Sequence, residues 1–102
     1  MNPLFERHRP EIERLCRRFG VAQLAVFGSA TGADFRPLSS DIDFVVEFQP
    51  AARNNAFDRY FGLKEELERL FERPVDLLTK PSIRNRYLRR EIEASSQQLY
   101  GA

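Results

Sequence analysis

The sequence predicts an α/β fold, more narrowly an α+β arrangement in which a small mixed sheet of three or more strands is flanked by helices. Segments with apolar residues at helical spacing alternate with short apolar runs of strand length. One helical segment separates the second and third of these runs, which favours a parallel crossover between them. The 102 residues, 42% of them hydrophobic, suffice for one core, so we expect a single domain over residues 1–102.

The first segment predicts an amphipathic helix from Pro3 to Phe19. Asn2 is a candidate N-cap, and proline suits the first turn of a helix. We interpret His8 and Cys16 as packing residues without a catalytic role. The apolar positions at helical spacing are Leu4, Phe5, Ile12, Leu15, Cys16 and Phe19.

Two predicted strands follow this helix. The apolar run 21–27 is typical of a strand buried on both faces, and Gly28-Ser29 ends it as a tight turn. Residues 30–40 have the composition of a loop, which allows the next strand to pair antiparallel with the first. That second strand, 41–48, alternates in polarity. Its apolar face carries Ile42, Phe44 and Val46.

The second half of the sequence predicts a helix, a strand and a further helix. Apolar residues recur at helical spacing over 57–71, and 74–79 is a third short apolar run that contains Asp76. Ser82 is a candidate N-cap for the last helix. We expect the tyrosines and phenylalanines to lie mostly in the core, Tyr60 and Tyr87 among them.

Composition narrows the range of functions. The single cysteine rules out an internal disulfide, and the sequence has neither an N-terminal apolar stretch nor ~20 consecutive apolar residues, so we expect a cytoplasmic protein outside the membrane. A net charge of +1 supplies little attraction to nucleic acid. We interpret the one local basic run as a solvated helix face; it comprises Lys80, Arg84, Arg86, Arg89 and Arg90.

Three acids in or beside the predicted strands indicate chemistry. Asp41 and Asp43 lie two positions apart, so their side chains share one face of the strand, about 6.6 Å apart along the backbone. An unpaired carboxylate in an apolar setting costs several kcal/mol unless a cation or a hydrogen bond compensates it. If the third strand lies beside the second, Asp76 joins them. Oxygen ligands of this kind suit Mg²⁺.

Each acid also has a structural interpretation when taken alone. Asp41 could close a turn after Ser40, and Asp76 could form a salt bridge with Arg73 or Lys80. The combination is more specific than its parts. A Gly-Ser turn after an apolar strand can present backbone N–H groups and a hydroxyl to phosphates, and an acidic pair follows it at a strand start.

The stretches Phe27-Gly28-Ser29, Ser40-Asp41-Ile42-Asp43 and Val75-Asp76-Leu77 resemble the nucleotidyltransferase superfamily of the polymerase-β fold. The resemblance is closest to the minimal nucleotidyltransferases of prokaryotic toxin–antitoxin pairs and covers most of the chain. It implies that Gly28 and Ser29 bind the triphosphate of ATP. It also implies two Mg²⁺ ions on Asp41 and Asp43, with Asp76 completing the acidic site and helping to activate the acceptor hydroxyl.

The resemblance also implies a partner. Larger relatives carry extra domains that grip an acceptor, and we expect no room for one here, so the hydroxyl should come from another macromolecule. In similar pairs, AMP is added to a tyrosine of a HEPN-type toxin, which neutralises an RNase. Many minimal members have basic residues after the Gly-Ser pair, whereas Arg36 is the first one here, so the triphosphate would be held less firmly.

Two other functions stay open. The chain could be an antitoxin that neutralises its partner by binding alone, without catalysis. Binding of nucleic acid through the basic run has the weakest support, because the net charge is so small. The sequence does not decide between a monomer and a homo-oligomer.

Overall fold

The computed structural model of the protein describes residues 3–28, 41–50, 56–79 and 84–101. The helices and strands confirm the predicted class of a mixed sheet flanked by helices. In chain order they are α1 (Pro3–Arg7), α2 (Arg9–Arg18), β1 (Val21–Phe27), β2 (Ile42–Phe48), α3 (Ala56–Phe71), β3 (Val75–Thr79), α4 (Arg86–Ser95) and β4 (Gln97–Tyr100).

The four strands form one sheet in the order β3-β2-β1-β4. As the sequence predicts, β1 pairs antiparallel with β2, and β2 pairs parallel with β3. The fourth strand pairs antiparallel with β1 and was not predicted. With four residues, β4 is too short for alternation to distinguish it from a loop.

The two faces of the sheet are covered unequally. One face, here called the core face, packs against α1, α2 and α3 and contains most of the fully buried side chains, including Ile42, Phe44 and Val46 as predicted. The other face, here called the open face, carries a small cluster in which Val45 and Ile92 are buried. The side chains packed around that pair are Ala25, Phe27 and Leu78. Most of the apolar burial, and so most of the stability, lies on the core face.

Two predicted helix limits are wrong. The first helix is split at His8, because Pro10 lies in the first turn of α2, where a proline starts a helix but cannot donate a hydrogen bond to a preceding turn. The last helix begins at Arg86 rather than after Ser82. Its N-cap is Asn85, whose side chain accepts hydrogen bonds from the backbone N–H groups of the second and third helical residues. Both proposed caps, Asn2 and Ser82, lie outside the described residues.

The remaining packing predictions are partly confirmed. Cys16 is fully buried, and burial raises the pKa of its thiol to about 12. The rings of His8 and Phe71 pack in a T-shaped arrangement, with centroids 5.4 Å apart. Three aromatic residues predicted for the core are instead exposed, namely Phe57, Phe61 and Tyr87. No helix within the described ranges is both long enough and apolar enough to cross a membrane.

Candidate active site

The predicted site residues that the structure describes gather at one end of the sheet. Strand β1 ends at Phe27 and is followed by Gly28, while Asp41 immediately precedes β2. Asp43 lies opposite Phe27 on one side. On the other side it lies opposite Asp76, the second residue of β3. Neighbouring strands are about 4.8 Å apart, so this register brings two acids side by side.

Asp43 and Asp76 interact directly. Their carboxyl groups lie within hydrogen-bonding reach of each other, and a hydrogen bond forms between them when one of the two carries a proton. The pKa of Asp43 is raised from 3.8 to about 6, first by burial of the group, then by the hydrogen bond to Asp76 and the negative charges of Asp76 and Asp41. Burial and the neighbouring carboxylates thus disfavour the ionised form of Asp43, which a bound cation would stabilise.

The backbone at Gly28 makes room for this pair. Its φ of +75° lies in the left-handed region that favours glycine. A Cβ placed on Gly28 would lie 2.6 Å from Oδ2 of Asp43, so the carboxylate rests directly against the glycine. The glycine that the sequence assigns to phosphate approach thus has a second role, since it seats the carboxylate of Asp43.

The chemistry of these acids fits magnesium. Mg²⁺ prefers oxygen ligands in an octahedral shell, and one or two carboxylates leave positions for phosphate oxygens and water. A cation would also relieve the repulsion that raises the pKa of Asp43. Within the four described ranges, no group of three or more His, Cys, Asp or Glu side chains is arranged as a metal cluster. The pair Asp43 and Asp76 is therefore the part of the predicted ligand set that the structure brings together.

Other predicted features fall outside the described residues. Ser29, which should hold the triphosphate, and Arg36, the first basic residue after it, are among them. The same is true of Ser40 and Lys80, the neighbours on which the structural interpretations of Asp41 and Asp76 rest. These assignments stay predictions.

Helix α4 shares the open face with the acids. Asp43 and Val45 lie two positions apart on β2 and therefore share that face, and Val45 packs against Ile92 of α4. Asp76 and Leu78 are related in the same way on β3. The sequence does not connect α4 with the acids, because apolar residues at helical spacing do not reveal which face of a sheet the helix covers.

Comparisons with known proteins identify the family and the fold. The family model of the nucleotidyltransferase domain matches residues 11–99. A Methanocaldococcus jannaschii protein named as a candidate protein adenylyltransferase is 40% identical over 78 residues, which cover 74% of each chain. The solved structure of a candidate minimal nucleotidyltransferase has a TM-score of 0.73 and 26% identity, covering 90% of this chain and 89% of that one.

A third similar protein is part of a complex. In that structure, a tri-AMPylated Shewanella oneidensis HEPN toxin is bound to an MNT antitoxin. The match has a TM-score of 0.66 and 21% identity, and it covers 96% of this chain and 73% of that one. At this level of identity the similarity shows a shared fold.

Proposed function

Because this chain belongs to the nucleotidyltransferase domain family, we propose that it transfers AMP from ATP to a tyrosine hydroxyl of a HEPN-type toxin. By this modification it acts as the antitoxin of that toxin. The protein named as a candidate adenylyltransferase supports AMP as the transferred group. The AMPylated toxin in complex with an antitoxin of the same fold supports the class of partner.

One observation carries the proposal. Asp43 and Asp76 lie in register on parallel strands at an end of the sheet, and the carboxylate of Asp43 rests against Gly28. Burial and the neighbouring acid Asp76 raise the pKa of Asp43, so its ionised form is disfavoured in an empty site, and a cation bound to an anionic substrate would compensate for that. A purely structural role would not require the second acid.

The residues can then be given roles in the reaction. Asp43, with Asp41 beside it, would hold Mg²⁺, which supplies charge neutralisation at the phosphates when bound. Gly28 and Ser29 would hold the triphosphate. Asp76 would accept the proton of the acceptor hydroxyl, whose oxygen forms a bond to the α-phosphorus. The bond between that phosphorus and the bridging oxygen breaks, and pyrophosphate leaves.

Labelling the partner tests the proposal. The chain is incubated with Mg²⁺, ATP radiolabelled at the α-phosphate, and a purified HEPN-type toxin. We expect label on that protein, at a tyrosine when mapped by mass spectrometry. Asp43→Asn should reduce labelling by about 10²-fold or more, because the metal site loses a charge. Asp58→Asn is the matched control, since Asp58 is an exposed acid on α3, away from the site.

A failure to label would leave antitoxin action by binding alone as the competing function. That alternative predicts that a variant with both Asp43→Asn and Asp76→Asn still restores growth of cells that express the toxin. Catalysis predicts that the same variant does not protect them. Both a supply of ATP and a toxin that acts on cellular RNA would place the protein in the cytoplasm.

A further inference from the structure

We propose that the exposed face of α4 is the docking surface for the acceptor protein, and that the matching surface of that protein is acidic with an apolar centre. The docking surface comprises Arg86, Tyr87 and Arg90, with Leu88 at its margin. This inference rests on the proposed function only in the identity of the partner, since the surface itself is defined by exposure and charge.

The position of α4 makes it accessible to any protein that reaches the acids. Ile92 of α4 packs on Val45, which lies two positions after Asp43 on the open face of β2, so α4 lies over the same face of the sheet as the acids. An ordinary interface buries about 800 Å² per partner, which is much more than a single carboxylate offers. A protein that places its hydroxyl at Asp76 therefore lies beside α4.

The side chains of α4 are not those of a helix that only packs on a sheet. Ile92 is its one buried residue, while Tyr87 is 77% exposed and Leu88 is 40% exposed. The backbone of both residues is held by the Asn85 cap, so the exposed ring sits on a fixed turn. Exposed tyrosine and arginine on a rigid element are the residues most often found at binding hot spots.

The charges on α4 are unusual for its position. Four arginines lie between residues 84 and 90 without an acid among them, at the N-terminal end of the helix. Cations near a helix N-terminus oppose the helix dipole, whereas acids there stabilise it. A sequence selected only for helix stability would show the reverse pattern. This arrangement suits electrostatic recognition of an acidic partner.

Strand addition is disfavoured as the mode of binding, because side chains already bond to backbone groups at both edges of the sheet. At the β3 edge, Glu68 accepts from the backbone N–H of Val75 at 3.0 Å, and the Tyr60 hydroxyl donates to the carbonyl of Leu77. At the β4 edge, Arg9 donates to the carbonyl of Leu99 at 3.0 Å. These bonds occupy groups that an added strand would need. Docking by side chains is the remaining mode.

The same face disfavours nucleic acid. A polyanion lying along α4 toward the site would meet Glu91, Glu93, Asp43 and Asp76 in succession, all of them acidic. A protein can place acidic groups opposite the arginines and neutral groups opposite the acids. The local character of the basic patch therefore favours a protein partner.

Affinity for the HEPN-type protein, measured by calorimetry without ATP or Mg²⁺, tests the docking surface separately from catalysis. We expect Arg86→Glu/Arg90→Glu to weaken binding at least about tenfold, and Tyr87→Ala by a similar factor. Arg14→Glu/Arg17→Glu is the matched control, because it reverses two exposed arginines on α2, across the sheet. Circular dichroism checks that each variant folds, and binding of Mg²⁺ and ATP should be unchanged in all of them.

The outcomes are distinct. Loss of binding in the α4 variants alone supports the docking surface, even if wild type transfers no AMP and the proposed function fails. Wild-type affinity in those variants would overturn it. So would a wild type that does not bind the HEPN-type protein, or loss of binding on Phe57→Ser/Phe61→Ser alone, which would assign docking to the exposed rings of α3. Binding of a labelled single-stranded RNA, abolished by Arg86→Glu/Arg90→Glu while protein binding persists, would also overturn the proposal.

Discussion

Replacing Asp43 with asparagine should stabilise the metal-free protein at neutral pH. The pKa of this group rises from 3.8 to about 6 on folding, so the folded protein disfavours its ionised form. A rise of that size corresponds to about 3 kcal/mol if fully retained. The site lies at the end of the sheet and the group is only half-buried, so solvent screening reduces the expected gain to about 1–2 kcal/mol.

The sign of the pH dependence follows from proton binding. Below about pH 4 the carboxyl group is protonated in both folded and unfolded protein, and its contribution is the same in each. Between about pH 4 and 6 the folded protein keeps a proton that the unfolded chain has lost, so the free energy of unfolding decreases as pH rises. Above about pH 6 the full penalty is present. Asp43→Asn removes it, so the variant gains its advantage across this interval.

Urea unfolding in EDTA, repeated from about pH 4 to 8, measures the effect. The difference in the free energy of unfolding between Asp43→Asn and wild type should be near zero at the acid end and grow to about 1–2 kcal/mol at the neutral end. Glu65→Gln controls for loss of one negative charge, because Glu65 is an exposed acid in the middle of α3. With Mg²⁺ in excess, the stability of wild type should rise relative to that of Asp43→Asn, because only wild type keeps the full ligand set. A difference that does not vary with pH would refute the electrostatic account of the acid pair.

Three other substitutions test separate features. Gly28→Ala should destabilise the protein by about 1–3 kcal/mol and weaken ATP binding, because φ is +75° and the new Cβ meets the carboxylate of Asp43. An unchanged urea midpoint would contradict this. Asn85→Ala should cost about 1 kcal/mol and lower the helical signal in circular dichroism, since α4 loses its N-cap. Tyr60→Phe should also cost about 1 kcal/mol by thermal unfolding, because the carbonyl of Leu77 loses its donor, and a variant as stable as wild type would exclude that bond.

Much of the fold could be predicted because its strongest signals are local. Alternation along β2 identifies its core face, and the intervening α3 fixes a parallel relation between β2 and β3. The failures are local as well. The strand β4 is too short to show alternation, Pro10 starts a new helix within an uninterrupted apolar pattern, and Tyr87 has helical spacing but faces solvent. Spacing identifies a helix more reliably than it identifies the buried side of a short one.

The site was harder to predict than the fold, because it depends on strand order. The sequence shows that Asp41 and Asp43 share a face, but contact with Asp76 requires that β3 lie beside β2 in one particular register. A shift by one residue would turn Asp76 to the core face. Nothing in the apolar run 75–79 specifies that register without its partner strand. The seat that Gly28 provides for Asp43 depends in turn on the pairing of β1 with β2.

The unequal covering of the sheet explains how so small a fold can hold this site. The core face buries large side chains such as Phe5, Phe44 and Leu67 completely, and that burial stabilises the domain. The open face needs to contribute little to the stability of the domain, so it can hold a destabilising acid pair beside a helix anchored by Ile92. Because the acids lie on the open face, a protein that presents its hydroxyl to Asp76 approaches through this face. The same asymmetry that leaves the acids accessible therefore also places α4 in the path of the protein that supplies the acceptor hydroxyl.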